Sequence, residues 1–132
     1  HGTTRNGRPV RVNRVDDLSS ALVATGFGYD PGRRRRQAEA LVSIIGHIGD
    51  IRRCGGAATD LASVACGRVD AYFERGLNPW DYAAGAVLVT EAGGRVTDLE
   101  GRPTSGGMVV AAPVELHGPL LELLRSAGAE VA

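Results

Sequence analysis

The chain has 132 residues, enough for one domain or one lobe of a larger one, and 43% of them are hydrophobic, which supports a buried core. Fifteen basic and fifteen acidic residues give a net charge of zero, so we expect no nucleic-acid partner. No apolar run reaches the roughly 18 residues that a membrane span needs, so we expect no membrane association.

The first segment, residues 1–14, predicts a β-hairpin. Asn6-Gly7 is a strong signal for a two-residue turn, and the arm from Arg8 to Asn13 alternates apolar and polar residues. The first arm has no visible strand partner besides the second. We therefore expect residues 1–14 to be the remnant of an N-terminal sheet whose other strands lie upstream of His1. Residues 15–132 are expected to form a C-terminal α/β lobe.

Beyond the hairpin, predicted strands alternate with predicted helices. Asp30-Pro31 opens the first helix, Pro79 suits a first helical position, and Gly93-Gly94 ends that later helix. The alternation predicts an α/β fold with a mainly parallel or mixed sheet flanked by helices. The predicted strands are 20–27, 50–56, 69–76, 94–101 and 107–114, and the predicted helices are 31–46, 57–67, 79–92 and 116–128.

Two motifs resemble functional sites but favour simpler interpretations. The segment GFGYDPG, residues 26–32, imitates a dinucleotide-binding loop, yet Asp30 would lie against the pyrophosphate, so we expect a plain connecting loop. The segment RRRR, residues 33–36, could grip phosphates. It lies in a first helical turn, where cations oppose the helix dipole, and no aromatic residue interleaves it. We expect a solvent-exposed face or part of a subunit contact.

The histidines and cysteines also favour structural roles. His47 and His117 each stand alone, without partners at metal-ligand spacing. Cys54 and Cys66 lack the spacing of a zinc site or of a redox motif. We expect both thiols to be reduced and buried in a cytoplasmic protein.

Gly55, Gly56 and Glu74 are candidate ligand contacts. The two glycines stand between a predicted strand and a helix, where free N–H groups favour an oxygen-rich or anionic ligand. Tight packing of the strand against the helix explains them equally well. Glu74 ends the predicted strand 69–76, at the sheet edge where ligands of α/β proteins bind. Surface charge is the alternative for Glu74.

Asp81 is the strongest candidate. It lies in the first turn of the predicted helix 79–92, where its carboxylate interacts favourably with the helix dipole. An ionised carboxylate at a strand–loop–helix junction suits a hard cation such as Mg²⁺. Simple capping of the helix is the alternative role.

The segment NPWDYAAGAVLVTEAGG, residues 78–94, resembles the C-terminal signature of the inositol monophosphatase family, W-D-x-A-A-G followed by E-A-G-G. The segments IRRCGGAATDLASVACGRVDAYFERG (51–76) and TRNGRPVRVN (4–13) are similar to the family's preceding stretches. The resemblance covers nearly the whole chain but only the C-terminal half of a family protein.

The resemblance implies a Mg²⁺-dependent, lithium-sensitive phosphatase with a layered αβαβα architecture, often homodimeric, that acts on inositol monophosphate or a related sugar phosphate. It makes Asp81 a metal ligand that also touches a substrate hydroxyl, and Glu74 a hydrogen-bond partner of another hydroxyl. Gly55, Gly56 and Ala57 match the backbone segment that contacts the sugar ring, although many relatives carry Ser or Thr where this chain has Gly56. The apolar run after Asp81 is expected to be a buried helix.

The family's D-P-[IL]-D-G-T motif and its upstream Glu, which hold the main catalytic metals, do not occur in these 132 residues. We therefore expect this chain alone to bind Mg²⁺ poorly and to be inactive, with a missing N-terminal half in the intact enzyme. Histidinol phosphate, fructose 1,6-bisphosphate and 3′-phosphoadenosine 5′-phosphate remain alternative substrates. A non-catalytic dimerisation or regulatory lobe is the alternative from another class.

Overall fold

The computed structural model describes residues 2–129 as a two-stranded hairpin followed by a five-stranded sheet with helices on both faces. A single 3₁₀ turn, Leu18–Ser20, precedes the large sheet. The strands are β1 Thr4–Arg5, β2 Arg8–Pro9, β3 Leu22–Thr25, β4 Asp50–Arg52, β5 Ala71–Arg75, β6 Gly94–Thr97 and β7 Met108–Pro113. The helices are α1 Pro31–Ile45, α2 Ala57–Ala65, α3 Pro79–Glu91 and α4 Val114–Ser126.

The large sheet is mixed, with strand order β4-β3-β5-β7-β6. Strand β3 pairs in parallel with β4 and β5, whereas β7 pairs antiparallel with β5 and β6. The predicted α/β fold is confirmed, and of its two alternatives the mixed sheet is the correct one. The carboxyl ends of β3, β4 and β5 lie at one edge of the sheet, because these three strands run in the same direction.

Each face of the sheet carries its own hydrophobic cluster, so the central strands are buried on both sides. Along β5, Ala71 and Phe73 belong to one cluster while Tyr72 belongs to the other. Ile44 of α1 packs in the first cluster, together with the buried leucines of α4. Val89 of α3 packs in the second, together with α2. Helices α1 and α3 therefore cover opposite faces.

Local capping explains where two of the helices begin. The Asp30 side chain accepts a hydrogen bond of 2.8 Å from the backbone N–H of Arg33, and Pro31 occupies the first turn of α1. Such an Asp-Pro start satisfies a free N–H group with a side chain and fixes φ in the helical range. Helix α3 begins with Pro79 in the same way. These starts agree with the sequence-based prediction.

Some strand limits differ from the prediction. The run 20–27 contributes only Leu22–Thr25 as a strand, because the 3₁₀ turn occupies residues 18–20. Val69, the first residue of the predicted strand 69–76, precedes β5 and packs in the cluster opposite to that of Ala71 and Phe73. The hairpin turn is confirmed by positive φ at Asn6 and Gly7, but β2 spans only Arg8–Pro9.

The prediction that the apolar run after Asp81 is a buried helix is wrong for this chain. Only Gly85 and Val89 of α3 are buried, whereas Trp80 is 80% exposed and Val87 is 60% exposed. One face of α3 packs on α2, and the other is apolar and open to solvent. None of the helices in residues 2–129 is long and apolar enough to cross a membrane.

Candidate active site

A cleft of about 330 Å³ lies at the carboxyl ends of the three parallel strands. Ligands of open α/β sheets bind at this edge, where neighbouring connections leave the sheet in opposite directions. Such a divergence occurs between β3 and β5, because β3 leads to one edge strand, β4, and β5 leads to the other, β6. The cleft is lined by residues 26–29 after β3, residues 53 and 55–57 after β4, residues 74–78 around the end of β5, Arg33 of α1 and Asp81 of α3.

The predicted site residues therefore meet in one place: Gly55, Gly56, Ala57, Glu74 and Asp81 all line the cleft. They come from three separate stretches of chain, and the parallel pairing of β4, β3 and β5 brings those stretches together.

Asp81 caps helix α3 with one carboxylate oxygen and leaves the other unpaired within the described residues. Its Oδ2 atom accepts a hydrogen bond of 2.9 Å from the backbone N–H of Asn78, which caps the start of α3. Its Oδ1 atom has no hydrogen-bond partner among residues 2–129, and the residue is only partly buried. Asp81 therefore keeps one hard oxygen available at the cleft, with the chemistry of a Mg²⁺ ligand.

The N-terminus of α2 forms a second wall. Its N-cap is Gly56, which has no side chain to hydrogen-bond the first-turn N–H groups. Uncapped N–H groups at a helix start favour an oxygen-rich or anionic ligand. Gly55 has a φ of +101°, a conformation that favours glycine. The helix start thus offers backbone donors, and position 56 itself supplies no side-chain hydroxyl.

Glu74 lies over the backbone just after β3, so closely that a Cβ atom at Gly26 would collide with its carboxylate. The buried Tyr72 hydroxyl donates a hydrogen bond of 2.7 Å to Glu74 Oε1. Burial raises the pKa of Glu74, and the charges of Asp60 and Asp81 act in the same direction. The Tyr72 hydrogen bond and the charge of Arg53 oppose that rise. Burial and the neighbouring Glu74 also raise the pKa of Tyr72.

Asp60 belongs to this acidic group, although sequence reasoning did not select it. It is 1% exposed in the first turn of α2, and its Oδ2 is the one buried side-chain oxygen or nitrogen in residues 2–129 without a hydrogen-bond partner. Burial raises the pKa of Asp60, while a hydrogen bond from Cys54 and the charge of Arg53 oppose the rise. The only sequence signal was an acidic residue among small and apolar neighbours.

The RRRR segment is not uniformly a solvent-exposed face. Arg34, Arg35 and Arg36 are exposed as predicted, but Arg33 is partly buried and lines the cleft. Residues 26–30 of the GFGYDPG segment form a loop, as predicted, before α1 begins at Pro31, yet residues 26–29 also line the cleft. Both segments contribute to the site because β3 lies between β4 and β5.

The remaining polar candidates lie outside the cleft. His117 is buried in α4, with its Nε2 atom 2.8 Å from the Thr97 hydroxyl, which agrees with a structural role. His47 is exposed. Cys54 and Cys66 are free thiols, but the prediction that both are buried is wrong, because Cys54 is exposed and Cys66 only partly buried.

No group of three or more His, Cys, Asp or Glu side chains in residues 2–129 is placed to hold a metal ion. A Mg²⁺ ion needs six oxygen ligands and usually takes one or two carboxylates together with waters and substrate phosphate. Asp81 fits such a site as one ligand.

The chain is similar in sequence and in fold to known proteins. A family model described as the inositol monophosphatase family matches residues 1–129. An inositol-1-monophosphatase of Mycobacterium bovis is 47% identical over 129 residues, which are 95% of this chain and 44% of that protein. The Nus factor SuhB of Escherichia coli is 46% identical over 104 residues, which are 76% of this chain and 38% of that protein.

A solved structure of an inositol monophosphatase from Anabaena matches with a TM-score of 0.88 and 41% identity. The match covers 95% of this chain and 51% of that one. This chain thus spans about half the length of the relatives it matches.

Proposed function

The chain belongs to the inositol monophosphatase family, and from that premise we propose that it forms the substrate-ring side of a Mg²⁺-dependent sugar-phosphate phosphatase. The observation that carries the proposal is that Asp81, Glu74 and Gly55–Ala57 line one cleft at the carboxyl ends of parallel strands. Inositol monophosphate is the preferred substrate. Histidinol phosphate, fructose 1,6-bisphosphate and 3′-phosphoadenosine 5′-phosphate are the alternatives to test beside it.

Each residue has a role that its geometry supports. Asp81 Oδ1 would hold one coordination position of Mg²⁺ and contact a ring hydroxyl, while Oδ2 accepts a hydrogen bond from the Asn78 N–H. The Glu74 carboxylate, oriented by the Tyr72 hydroxyl, accepts a hydrogen bond from another ring hydroxyl. The backbone N–H groups after Gly56 contact the ring or its phosphate. A bound Mg²⁺ would supply the charge that activates water for in-line attack on the phosphoryl group.

We propose further that residues 15–132 are the C-terminal lobe of a longer enzyme, which supplies the remaining metal carboxylates. The matched relatives are about twice as long as this chain. The apolar face of α3, with exposed Trp80 and Val87, also supports packing against further polypeptide. The free thiols of Cys54 and Cys66 support a reducing compartment such as the cytoplasm. We also propose that the intact enzyme is a homodimer, which light scattering would test.

The test is phosphate release from inositol 1-phosphate with Mg²⁺, using the natural full-length protein and Asp81→Asn. Asparagine keeps an oxygen for the Asn78 N–H but loses the charge, so kcat/KM should fall at least about 100-fold while the fold persists. Asp16→Asn is the matched control, because Asp16 is exposed and outside the cleft. Equal activity of the Asp81 and Asp16 variants would contradict the proposal.

The 132-residue chain alone should release no phosphate, because it offers one well-placed metal carboxylate. Measurable turnover by the isolated chain, rising with Mg²⁺ concentration, would show that the site is complete without further polypeptide.

The second candidate function is a non-catalytic regulatory or interaction lobe. The observation that favours it is the similarity to a protein named Nus factor SuhB. One measurement, phosphate release, distinguishes the two candidate functions. Release of no phosphate from any of the four substrates by the natural full-length protein would favour the interaction role.

A further inference from the structure

Cys54 is an exposed thiol at the rim of the cleft. Its chain neighbours Arg53 and Gly55 both line the cleft, and the turn that contains them leads directly into α2. A reagent can therefore reach the Cys54 sulfur, which is the first requirement for thiol chemistry. No step of the proposed phosphatase reaction uses a sulfur atom, so the proposed function does not account for this thiol.

Asp60 is a buried carboxylate in contact with this thiol. It is 1% exposed and accepts a hydrogen bond from Cys54, while its Oδ2 atom has no hydrogen-bond partner in residues 2–129. A buried oxygen without a partner is costly, and in folded proteins such a group often has a chemical role. Burial raises the pKa of Asp60, which makes its carboxylate a better acceptor for the thiol proton.

Cys66 provides a comparison within the same chain, because its surroundings differ. It is partly buried, and its Sγ atom donates to the Ser63 carbonyl at 3.8 Å. A backbone carbonyl cannot take up the thiol proton at neutral pH. Of the two thiols, Cys54 therefore has both the better access and the hydrogen-bonded base.

From this arrangement we infer that Cys54 is a modification site for small disulfides of the cellular thiol pool, with Asp60 as the base. The Cys54 proton passes to Asp60, and a bond forms between Cys54 Sγ and one sulfur of the disulfide while the S–S bond of the disulfide breaks. The released thiolate takes up the proton from Asp60. The products are a mixed disulfide on Cys54 and one free thiol, so the exchange needs no other oxidant, and a reducing thiol reverses it.

The mixed disulfide should weaken substrate binding, a consequence that rests on the proposed phosphatase function. Modified Cys54 can no longer donate to Asp60, so the turn loses this link to the first turn of α2. The added group is attached between Arg53 and Gly55, next to the backbone donors after Gly56 that we assign to the ring or its phosphate. The cleft would thus respond to the oxidation state of the thiol pool.

The first experiment follows the reaction of the natural full-length protein with hydroxyethyl disulfide, using mass spectrometry of proteolytic peptides to measure each thiol separately. Cys54 should react at least about tenfold faster than Cys66. Asp60→Asn should slow the reaction of Cys54 at least about fivefold, because an amide cannot take up the proton. Asp16→Asn, which removes an exposed charge outside the cleft, is the matched control and should leave the rate within about twofold. Urea unfolding verifies that the Asp60 variant is folded.

Two results would overturn the modification site: equal rates for Cys54 and Cys66, or an Asp60→Asn variant in which Cys54 reacts as fast as before or faster. A faster reaction would mean that Asp60 holds the thiol proton in place instead of accepting it.

Phosphate release from inositol 1-phosphate with Mg²⁺ tests the consequence for the cleft. The mixed disulfide should raise KM at least about threefold and leave kcat within about twofold, and dithiothreitol should reverse the change. Cys54→Ser should keep the KM of the unmodified protein and become insensitive to the disulfide. An unchanged KM in the modified protein would refute the effect on the cleft. If the unmodified protein releases no phosphate, the phosphatase proposal fails, whereas the reaction rates of Cys54 still test the modification site independently.

Discussion

Gly85→Ala should destabilise the protein, although alanine is the better helix former. Gly85 is buried in α3 where α3 crosses α2. A Cβ atom there would lie 2.5 Å from Leu61 Cβ and 2.6 Å from Leu61 Cδ1. A change of rotamer could move Cδ1 away, but the position of Leu61 Cβ is fixed by the backbone of α2. The two helices would therefore have to separate.

The magnitude follows from two opposing effects. Replacing glycine by alanine in a helix interior stabilises by about 1 kcal/mol. Overpacking a well-packed contact costs about 1–3 kcal/mol, and a clash between two backbone-fixed atoms lies towards the upper end. We expect a net loss of about 1–2 kcal/mol in the free energy of unfolding.

The assay is urea unfolding followed by circular dichroism, with Gly46→Ala as the matched control. Gly46 ends α1 with φ −74°, and a Cβ atom there would meet nothing within 4 Å. That variant should be neutral or more stable by about 0.5 kcal/mol, because alanine lowers the entropy of the unfolded chain. If Gly85→Ala were as stable as Gly46→Ala, the tight α2–α3 contact would be refuted.

Three further predictions concern buried polar groups. Burial, and to a lesser extent the charge of Arg95, lowers the pKa of His117 from 6.5 to about 4. As the pH falls from 6.5 to 4, the imidazole is therefore protonated in the unfolded chain but still neutral in the folded protein. The free energy of unfolding, measured by urea titration, should therefore fall by up to about 3 kcal/mol between pH 6.5 and pH 4. His117→Gln should abolish the share of this loss that comes from His117. Asp60→Asn should stabilise by about 1 kcal/mol at pH 7, because burial raises the Asp60 pKa and disfavours its charge. This gain should vanish below about pH 4, where the unfolded carboxyl is also protonated; a gain that persists there would contradict the reasoning. Tyr72→Phe removes the donor to Glu74 Oε1 and should cost about 1–2 kcal/mol at pH 7, with Tyr82→Phe as the control.

The parts of the fold that sequence could predict are those encoded by neighbouring residues. Asp30 caps α1 through the N–H group three residues later, and Asn6-Gly7 makes a turn within two residues. The position of Asp81 in the first turn of α3 follows from Pro79 in the same local way. Such signals need no knowledge of the rest of the chain, and the corresponding predictions agree with the structure.

The sequence-based predictions that were wrong concern features that depend on contacts between distant segments of the chain. Arg33 was assigned to a solvent-exposed face or a subunit contact, because the arginines lie in a first helical turn and no aromatic residue interleaves them. In the structure it lies over Gly76, more than forty residues later. The burial of Asp60 and the exposure of Trp80 are likewise set by packing between elements. No spacing within one helix distinguishes a helix buried on all sides from one whose outer face is open.

The glycines around the cleft show how the two kinds of information combine. Sequence reasoning interpreted Gly26 and Gly28 as a loop that imitates a nucleotide-binding motif, and Gly76 as the end of a strand. In the structure, a Cβ atom at Gly26 would collide with Glu74, and one at Gly76 would displace Arg33. Their common role is to leave space for charged side chains that come from other segments. Gly26→Ala should therefore displace the Glu74 carboxylate and weaken substrate binding, even though the loop itself tolerates a side chain. A rise in KM with kcat nearly unchanged is the expected kinetic result.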